Sequence, residues 1–270
     1  MTGLTIAMTK ITSRRHPLVQ ACRRLAAGRG QDGDVLLDGE HLIEEAIGAG
    51  VTIATVLAGD AASALARRAR EHGADVFAAS AEVVAAASPV DAPSGIVAIA
   101  RWKPAPLDAA ITSTSGLVAA LLDVQDPGNV GSVIRSADAF GASSVVTVGS
   151  TADPSGWKAM RGAMGSTFHL PVSRTTIDAL LERAKRVKAR VVATTARDAA
   201  PLDTVRLDGP TVLLLGNEGA GLPDAILERA DARVRVPMRQ GVNSLNVSVT
   251  AALILYEAAR AARPRAASST

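Results

Sequence analysis

Apolar residues recur along this chain in two alternating rhythms: short runs of the kind that bury in a sheet, and longer stretches with helical spacing. In PLVQACRRLAA, Leu18, Cys22 and Leu25 fall on one side while Arg23 and Arg24 fall on the other, which predicts a helix over 17–27. DVLLDGEHLIEEAIGAG reads as a strand at 35–37, a turn at Asp38-Gly39 and a helix ending near Gly48 or Gly50. The strand pattern returns in VTIATVLAGD. An Ala-rich helical stretch at 61–72, a strand at 75–78, a helix at 81–87 and a strand at 95–101 follow. Pro104, Pro106 and the turn-prone TSTSG mark a linker over 103–116 with a short helical turn.

Beyond it, LVAALLDV at 117–124 is almost wholly apolar, as a strand covered on both faces of a parallel sheet must be. The pattern continues as a helix at 130–140, a strand at 144–149, a short helix at 156–163, a strand at 168–171 and a helix at 176–189. Strands at 190–194, 211–215 and 232–236 precede a final helix at 243–261. This βα alternation predicts an α/β protein of two domains, a smaller one over 1–105 and a larger one over 106–262, with an aperiodic tail at 263–270.

Composition narrows what those domains can do. A chain of 270 residues lies where single cores stop growing, which suits two domains. Aromatics make up 2% of the chain, so the core is aliphatic and no conventional base-stacking platform can be assembled. The net charge is only +3, but its distribution is uneven. Lys10, Arg14, Arg15, Arg23, Arg24 and Arg29 fall in the first 30 residues with no Asp or Glu, whereas 31–105 is acidic in balance. That basic arm fits either a phosphate backbone or a solvated surface helix. Cys22 is the single cysteine, which excludes an intrachain disulfide and a cysteine-based zinc cluster and assigns it a small buried role. The start, MTGLTIAMTKITSRRHPL, lacks the apolar run of a signal peptide, and no stretch reaches membrane-spanning length, so a cytoplasmic location is expected.

Three passages carry candidate chemistry, each where a strand runs into a loop. LLDVQDPGNVGSVIRSADAFG places Asn129 at the start of a helix, as a cap or a site residue, and Arg135 further in, as an anion ligand or a surface partner of Asp138. TVLLLGNEGAGLP sets three glycines and Glu218 after a buried strand. Its spacing is neither GxGxxG nor a P-loop, which disfavours NAD and ATP. VRVPMRQGVNSLNVSVTAALILYEAAR offers Asn243 or Ser244 as the cap of the last helix and puts Asn246 two residues inside it, where Asn needs a side-chain partner. Met238 reads as packing. The four histidines share no metal-ligand spacing, and no serine sits in a GxSxG elbow. Residues alone thus leave an α/β enzyme with a basic auxiliary domain, or a noncatalytic RNA-binding module.

Taken together, NVGSVIRSADAFG, LLLGNEGAGL and VPMRQGVNSLNVSVTAA resemble the three signature motifs of the SpoU (TrmH-like) branch of the SPOUT RNA methyltransferases, in order and spacing, over about residues 116–261. ITSRRHP and LLDGEHLIEEAI resemble the family's L30e-like substrate-binding domain more loosely. The resemblance implies a trefoil-knotted catalytic domain, a homodimer, and transfer of a methyl group from S-adenosylmethionine to a ribose 2′-hydroxyl of structured RNA, rRNA first and tRNA second. It implies that Leu215, Gly216, Asn217, Gly219, Val236, Pro237, Met238, Ser244, Leu245 and Asn246 hold the cofactor. Arg135 matches the family's essential arginine, supported by Asn129 and Glu218. Lys10, Arg14, Arg15, Arg23, Arg24 and Arg161 become RNA-contact candidates, and neither a metal nor a membrane is implied. One departure is Ala163, in KAMRGAMGSTFHLPV, where many relatives carry serine. A SPOUT-like RNA-binding protein without catalysis is the alternative.

Overall fold

The computed structural model describes residues 10–30, 33–61, 63–242 and 244–262. They divide into two compact units, one built from the chain up to Lys103 together with Ser155–Phe168, the other from Pro104–Pro154 and from His169 onward.

The first unit contains β1 (Lys10–Ile11), α1 (Pro17–Ala26), β2 (Asp34–Asp38), α2 (Glu40–Gly48), β3 (Ile53–Ala58), α3 (Ala64–Glu71), β4 (Asp75–Ala79), α4 (Ala81–Ala87) and β5 (Ile96–Arg101). Its sheet runs β1-β4-β3-β5-β2, parallel except where β5 meets β3 and β2. Alternation along β2 sends Val35 and Leu37 into one core and Leu36 into the other. Helix α1 starts as predicted: Pro17 occupies a position whose N–H needs no partner, and the His16 side chain accepts from the Leu18 N–H at 3.3 Å. Cys22 is buried beneath it, and burial pushes its thiol up to about 12, so it acts as packing. The two-residue strand β1 falls inside the predicted basic arm, because two residues are too short for any alternation to show.

The second unit follows with α5 (Leu107–Ala110), β6 (Leu117–Leu122), α6 (Pro127–Ala139), β7 (Ser144–Val148), then, after α7 (Trp157–Ala163), β8 (Val172–Thr175), α8 (Ile177–Val187), β9 (Arg190–Thr194), β10 (Ala200–Pro201), β11 (Thr211–Leu215), α9 (Asp224–Leu227), β12 (Ala232–Arg235) and α10 (Val247–Ala262). Its sheet is wholly parallel, in the order β10-β12-β9-β11-β6-β7-β8. All six residues of β6 are buried, as the apolar run predicted. One face packs Val118, Ala120, Val146, Val212 and Leu214 with α8 and α9, while α6 and α10 pack together elsewhere in the unit. The chain goes from β6 to β7 and β8 on one side, then crosses to β9 on the other. The β6–β11 junction is therefore a topological switch point, where the loops beyond the strands part and leave a crevice.

Three expectations are corrected. The sequence places 156–163 in the larger domain, but α7 belongs to the first unit, where Met160 enters one core and Trp157 packs against the other. The strand expected at 168–171 forms at 172–175 instead, after a 3-10 turn at Ser166–Phe168, because Pro171 has no N–H to give to a ladder. The last helix begins at Val247 rather than 243. Asn243 and the tail at 263–270 lie outside the described residues.

Candidate active site

The loops at the carboxyl ends of four neighbouring strands, β12, β9, β11 and β6, build the site. After β6, Asp126 caps α6 by accepting the Asn129 N–H at 2.9 Å, with Pro127 in the first turn. Asn129 is therefore not the cap, and its side chain is free for other work. Its Nδ2 donates to Glu218 Oε1 at 2.9 Å, across the switch point.

Glu218 is presented by a turn that holds its own shape. Asn217 Oδ1 accepts the N–H groups of Gly219 and Ala220 at 2.9 and 3.0 Å, and Asn217 Nδ2 donates to the Asp123 carbonyl at 2.9 Å. The Gly221 N–H donates back to the Asn217 carbonyl at 2.9 Å. This closure brings Gly221 so near that a Cβ on Gly216 would lie 2.4 Å from the Gly221 carbonyl carbon. Only glycine fits there.

The third loop supplies Asn246, which proves to be the cap of α10 instead of an interior residue. Its Oδ1 accepts from the Ser248 N–H at 2.8 Å and from the Ser248 hydroxyl at 2.6 Å, while its Nδ2 donates to Asn129 Oδ1 at 3.0 Å. Ser244, one of the two expected caps, is exposed before the helix. Asn246, Asn129 and Glu218 thus form one directional chain that ends on a carboxylate. Burial raises the Glu218 pKa, but the hydrogen bonds it accepts, from Asn129 and from the main chain of Glu218, Gln125 and Asp126, together outweigh burial and hold it below the usual carboxylate range. Glu218 is ionised at neutral pH. A depressed pKa means its contribution to stability is present above the unfolded-state value and is lost as pH falls through the folded one.

Beside this chain lies a cavity of about 560 Å³, within the size range of cofactor sites. Of the predicted cofactor residues, Gly216, Asn217, Gly219, Val236, Met238, Ser244 and Leu245 line it, and so does Glu218. Leu215 is buried in β11, Pro237 is exposed beside the cavity wall, and Asn246 is turned to Asn129. The sequence reading missed Thr194 at the end of β9 and the loop residues 195–198 after it, together with Arg233 and Arg235 on β12. Position beyond a strand's carboxyl end was the signal that could have found the first group. Arg235 Nε donates to the Ala199 carbonyl at 3.1 Å, tying that loop to β12.

Arg135 is exposed on α6, is not on the cavity wall, and forms no ion pair with Asp138. Of the RNA-contact candidates, Lys10, Arg15 and Arg24 are exposed in the first unit, as is Arg161 on α7. Arg14 pairs with Glu82 at 3.1 Å, and Arg23 Nε donates to the Ala86 carbonyl at 2.8 Å, which leaves their charge on the surface but fixes their direction.

The sequence profile of the SpoU rRNA Methylase family matches residues 116–256, a span that holds every loop described above. The chain belongs to the SpoU methylase family. Residues 16–98 match an MRM3-like substrate binding domain, in keeping with the expected division of labour. The 23S rRNA (guanosine(2553)-2′-O)-methyltransferase RlmP of Bacillus subtilis is 32% identical over 251 residues, 92% of this chain and 98% of the relative. An AdoMet-bound rRNA methyltransferase from Sinorhizobium meliloti superposes with a TM-score of 0.87 at 30% identity, covering 95% of this chain and 99% of that one. The SpoU methyltransferase AviRb from Streptomyces viridochromogenes, in complex with AdoMet, gives a TM-score of 0.80 at 29% identity over 92% and 98% of the two chains. SpoU membership accounts for the convergence of three separate passages on one switch point. The departure at Ala163 lies on α7, where the residue is fully buried in the first unit.

Proposed function

We propose that this protein transfers a methyl group from S-adenosylmethionine to a ribose 2′-hydroxyl of structured rRNA. The observation that carries this reading is the Asn246–Asn129–Glu218 chain, which joins the three SpoU passages at the rim of one cavity. That cavity fits the cofactor by its chemistry. Val236, Met238 and Leu245 offer apolar surface to a flat base, and the 216–221 turn offers main chain at close range. When bound, the cofactor supplies an already activated methyl group. The residues of the chain must then orient a hydroxyl oxygen and exclude competing groups. Ionised Glu218, held by Asn129, is a fixed acceptor for this purpose. Arg135 offers a planar fork of donors and no acceptor, so it orients the ribose or its neighbouring phosphate and stabilises charge.

Three finer points belong to the same reading. The first is a homodimer. Val249, Leu253 and Tyr256 are spaced i, i+4 and i+7 on α10 and are 46%, 41% and 52% exposed, forming one apolar stripe. Phe140, at the end of α6, meets Tyr256 edge to face with ring centroids 5.7 Å apart. Covering the stripe with a second copy would set the exposed Arg135 of α6 beside the partner, to complete the partner's site. Leu253→Glu with Tyr256→Glu is expected to give a monomer by light scattering and to abolish methyl transfer. A dimeric double variant would reject this interface.

The second point is the trefoil knot, for which the support is membership of the SpoU family. The third is the RNA. The two 23S rRNA relatives, RlmP and the uridine(2479) enzyme of Streptomyces viridochromogenes, support rRNA over tRNA. A first unit with exposed arginines and few aromatics suits recognition of phosphate geometry and 2′-hydroxyls. No helix among the described residues is long and apolar enough to cross a membrane, and work on rRNA places the protein in the cytoplasm in this proposal.

The deciding experiment incubates rRNA and tRNA with labelled S-adenosylmethionine and the protein. Label in nuclease-resistant 2′-O-methylated linkages of rRNA is the expected result. Label on a base nitrogen would overturn the chemistry, and no transfer to any RNA would favour the noncatalytic alternative.

A further inference from the structure

The turn that shapes the cavity is not anchored by motif residues alone. Asn217, which closes that turn, is itself held by the carbonyl of Asp123, a residue with no assigned part in the site. Asp123 has φ +56°, in the left-handed region that a Cβ disfavours and that Asp and Asn tolerate best. Of the other described non-glycine residues there, Met164 and Lys188 are helix C-caps, for which the conformation is ordinary, and Asp198 lies in the loop after β9, on the cavity wall. Asp123 caps no helix: it stands directly after β6, and the helix that follows has its own cap in Asp126.

What holds it is visible on its other side. Asp123 Oδ1 accepts from the Ser150 N–H at 2.7 Å and from the Ser150 hydroxyl at 2.9 Å, and the Asp123 N–H donates to the Val148 carbonyl at 3.2 Å. The adjoining Gly149 is bare: a Cβ there would lie 2.3 Å from the same carboxylate oxygen. The end of β7 therefore grips the side chain while the main chain turns over and aims its carbonyl at Asn217. Local strain that persists because its surroundings over-determine it is a mark of functional sites.

We propose that Asp123 is a positioning residue for cofactor binding: its clamped, left-handed carbonyl sets Asn217, and through Asn217 the 216–221 turn that lines the cavity. Asp123 touches no substrate in this account. The inference rests on the reading of the cavity as the cofactor's.

The test is calorimetric titration of the full chain with S-adenosylhomocysteine, alongside the thermal midpoint of each variant. Asp123→Ala is expected to weaken binding about tenfold, since alanine tolerates the left-handed region poorly and loses the grip on Ser150. Asp123→Asn, which tolerates that region and keeps an acceptor, should bind within about threefold of the parent. Ser150→Ala, with one of two grips removed, should fall between them. Adding Asn217→Ala to Asp123→Ala should cost less than the two single losses multiplied, because both act through one hydrogen bond. A purely structural role would lower the thermal midpoint and leave affinity unchanged. Affinity within twofold of the parent in Asp123→Ala would overturn the proposal, as would an Asn variant as weak as the Ala variant. If Asp123→Ala does not fold, Ser150→Ala carries the test, and unchanged affinity there overturns it. Failure of the parent protein itself to bind would instead remove the reading of the cavity, and this inference with it.

Discussion

In the Arg135→Ala variant, methyl transfer at saturating RNA and cofactor falls by about 100- to 1,000-fold, the scale seen when one preorganised donor to a developing charge is removed. Binding of S-adenosylhomocysteine stays within about threefold, because this arginine does not line the cavity of its own chain. The separation of the two effects follows from where the side chain sits. Arg135 is exposed on α6, its guanidinium unspent on Asp138, on the helix that packs against α10, the helix that carries the exposed apolar stripe. Arg135→Lys restores little, since a point charge cannot reproduce a planar fork. Mixing Arg135→Ala protein with a cavity-defective variant gives a sharper result. If each site is shared between two copies, heterodimers recover one working site and activity returns to a fraction of the parent level. Full turnover by Arg135→Ala at limiting RNA and cofactor would reject the role altogether.

Gly216→Ala abolishes cofactor binding in the accessible range, with affinity lower by at least about a hundredfold, and methyl transfer is lost with it. The added methyl has nowhere to go. It would lie 2.4 Å from the Gly221 carbonyl carbon, 2.6 Å from its oxygen and 2.6 Å from the Leu222 nitrogen, all main-chain atoms of a turn tied by Asn217. Relief requires opening that turn, which displaces Glu218 from Asn129 and deforms the cavity wall. Overpacking of this sort costs about 1–3 kcal/mol, so the variant should fold with a lowered midpoint and can be titrated with S-adenosylhomocysteine. Binding within tenfold of the parent would mean that the turn is plastic and is not a built part of the site. Gly219→Ala is the control for folding alone: its added Cβ would lie 3.6 Å from the nearest protein atom, so its thermal midpoint is expected to stay near the parent's.

Much of this architecture was legible in the chain. The run at 117–124 announced β6 because a strand covered on both faces cannot afford polar residues, and the helix at 17–26 announced itself by its two-sided pattern. What misled were features whose meaning depends on neighbours distant in sequence. Asn246 read as an awkward interior residue because its helix was extended too far, when it is the cap and reaches Asn129 as well. Asn129 and Asp126, three residues apart, are equally good caps by residue type, and only the fold shows which carboxylate or amide is left over. The short helix α7 has an ordinary pattern, and nothing in it says which of two cores will receive Met160. Asp123 carried no signal at all, since neither its φ nor its grip on Ser150 leaves a mark in composition or period.

The sequence by itself determined most of the longer elements, the α/β class and the three passages bearing the chemistry, because burial periodicity and the residue types at strand ends are local properties. The tertiary structure alone decided which of those residues meet. Strand order in a parallel sheet places the loops after β6 and β11 side by side although 89 positions separate Asn129 from Glu218, and hydrogen bonds of 2.9–3.0 Å then select among chemically equivalent amides and carboxylates. That choice depends on distances in space, which no run of neighbouring residues can encode.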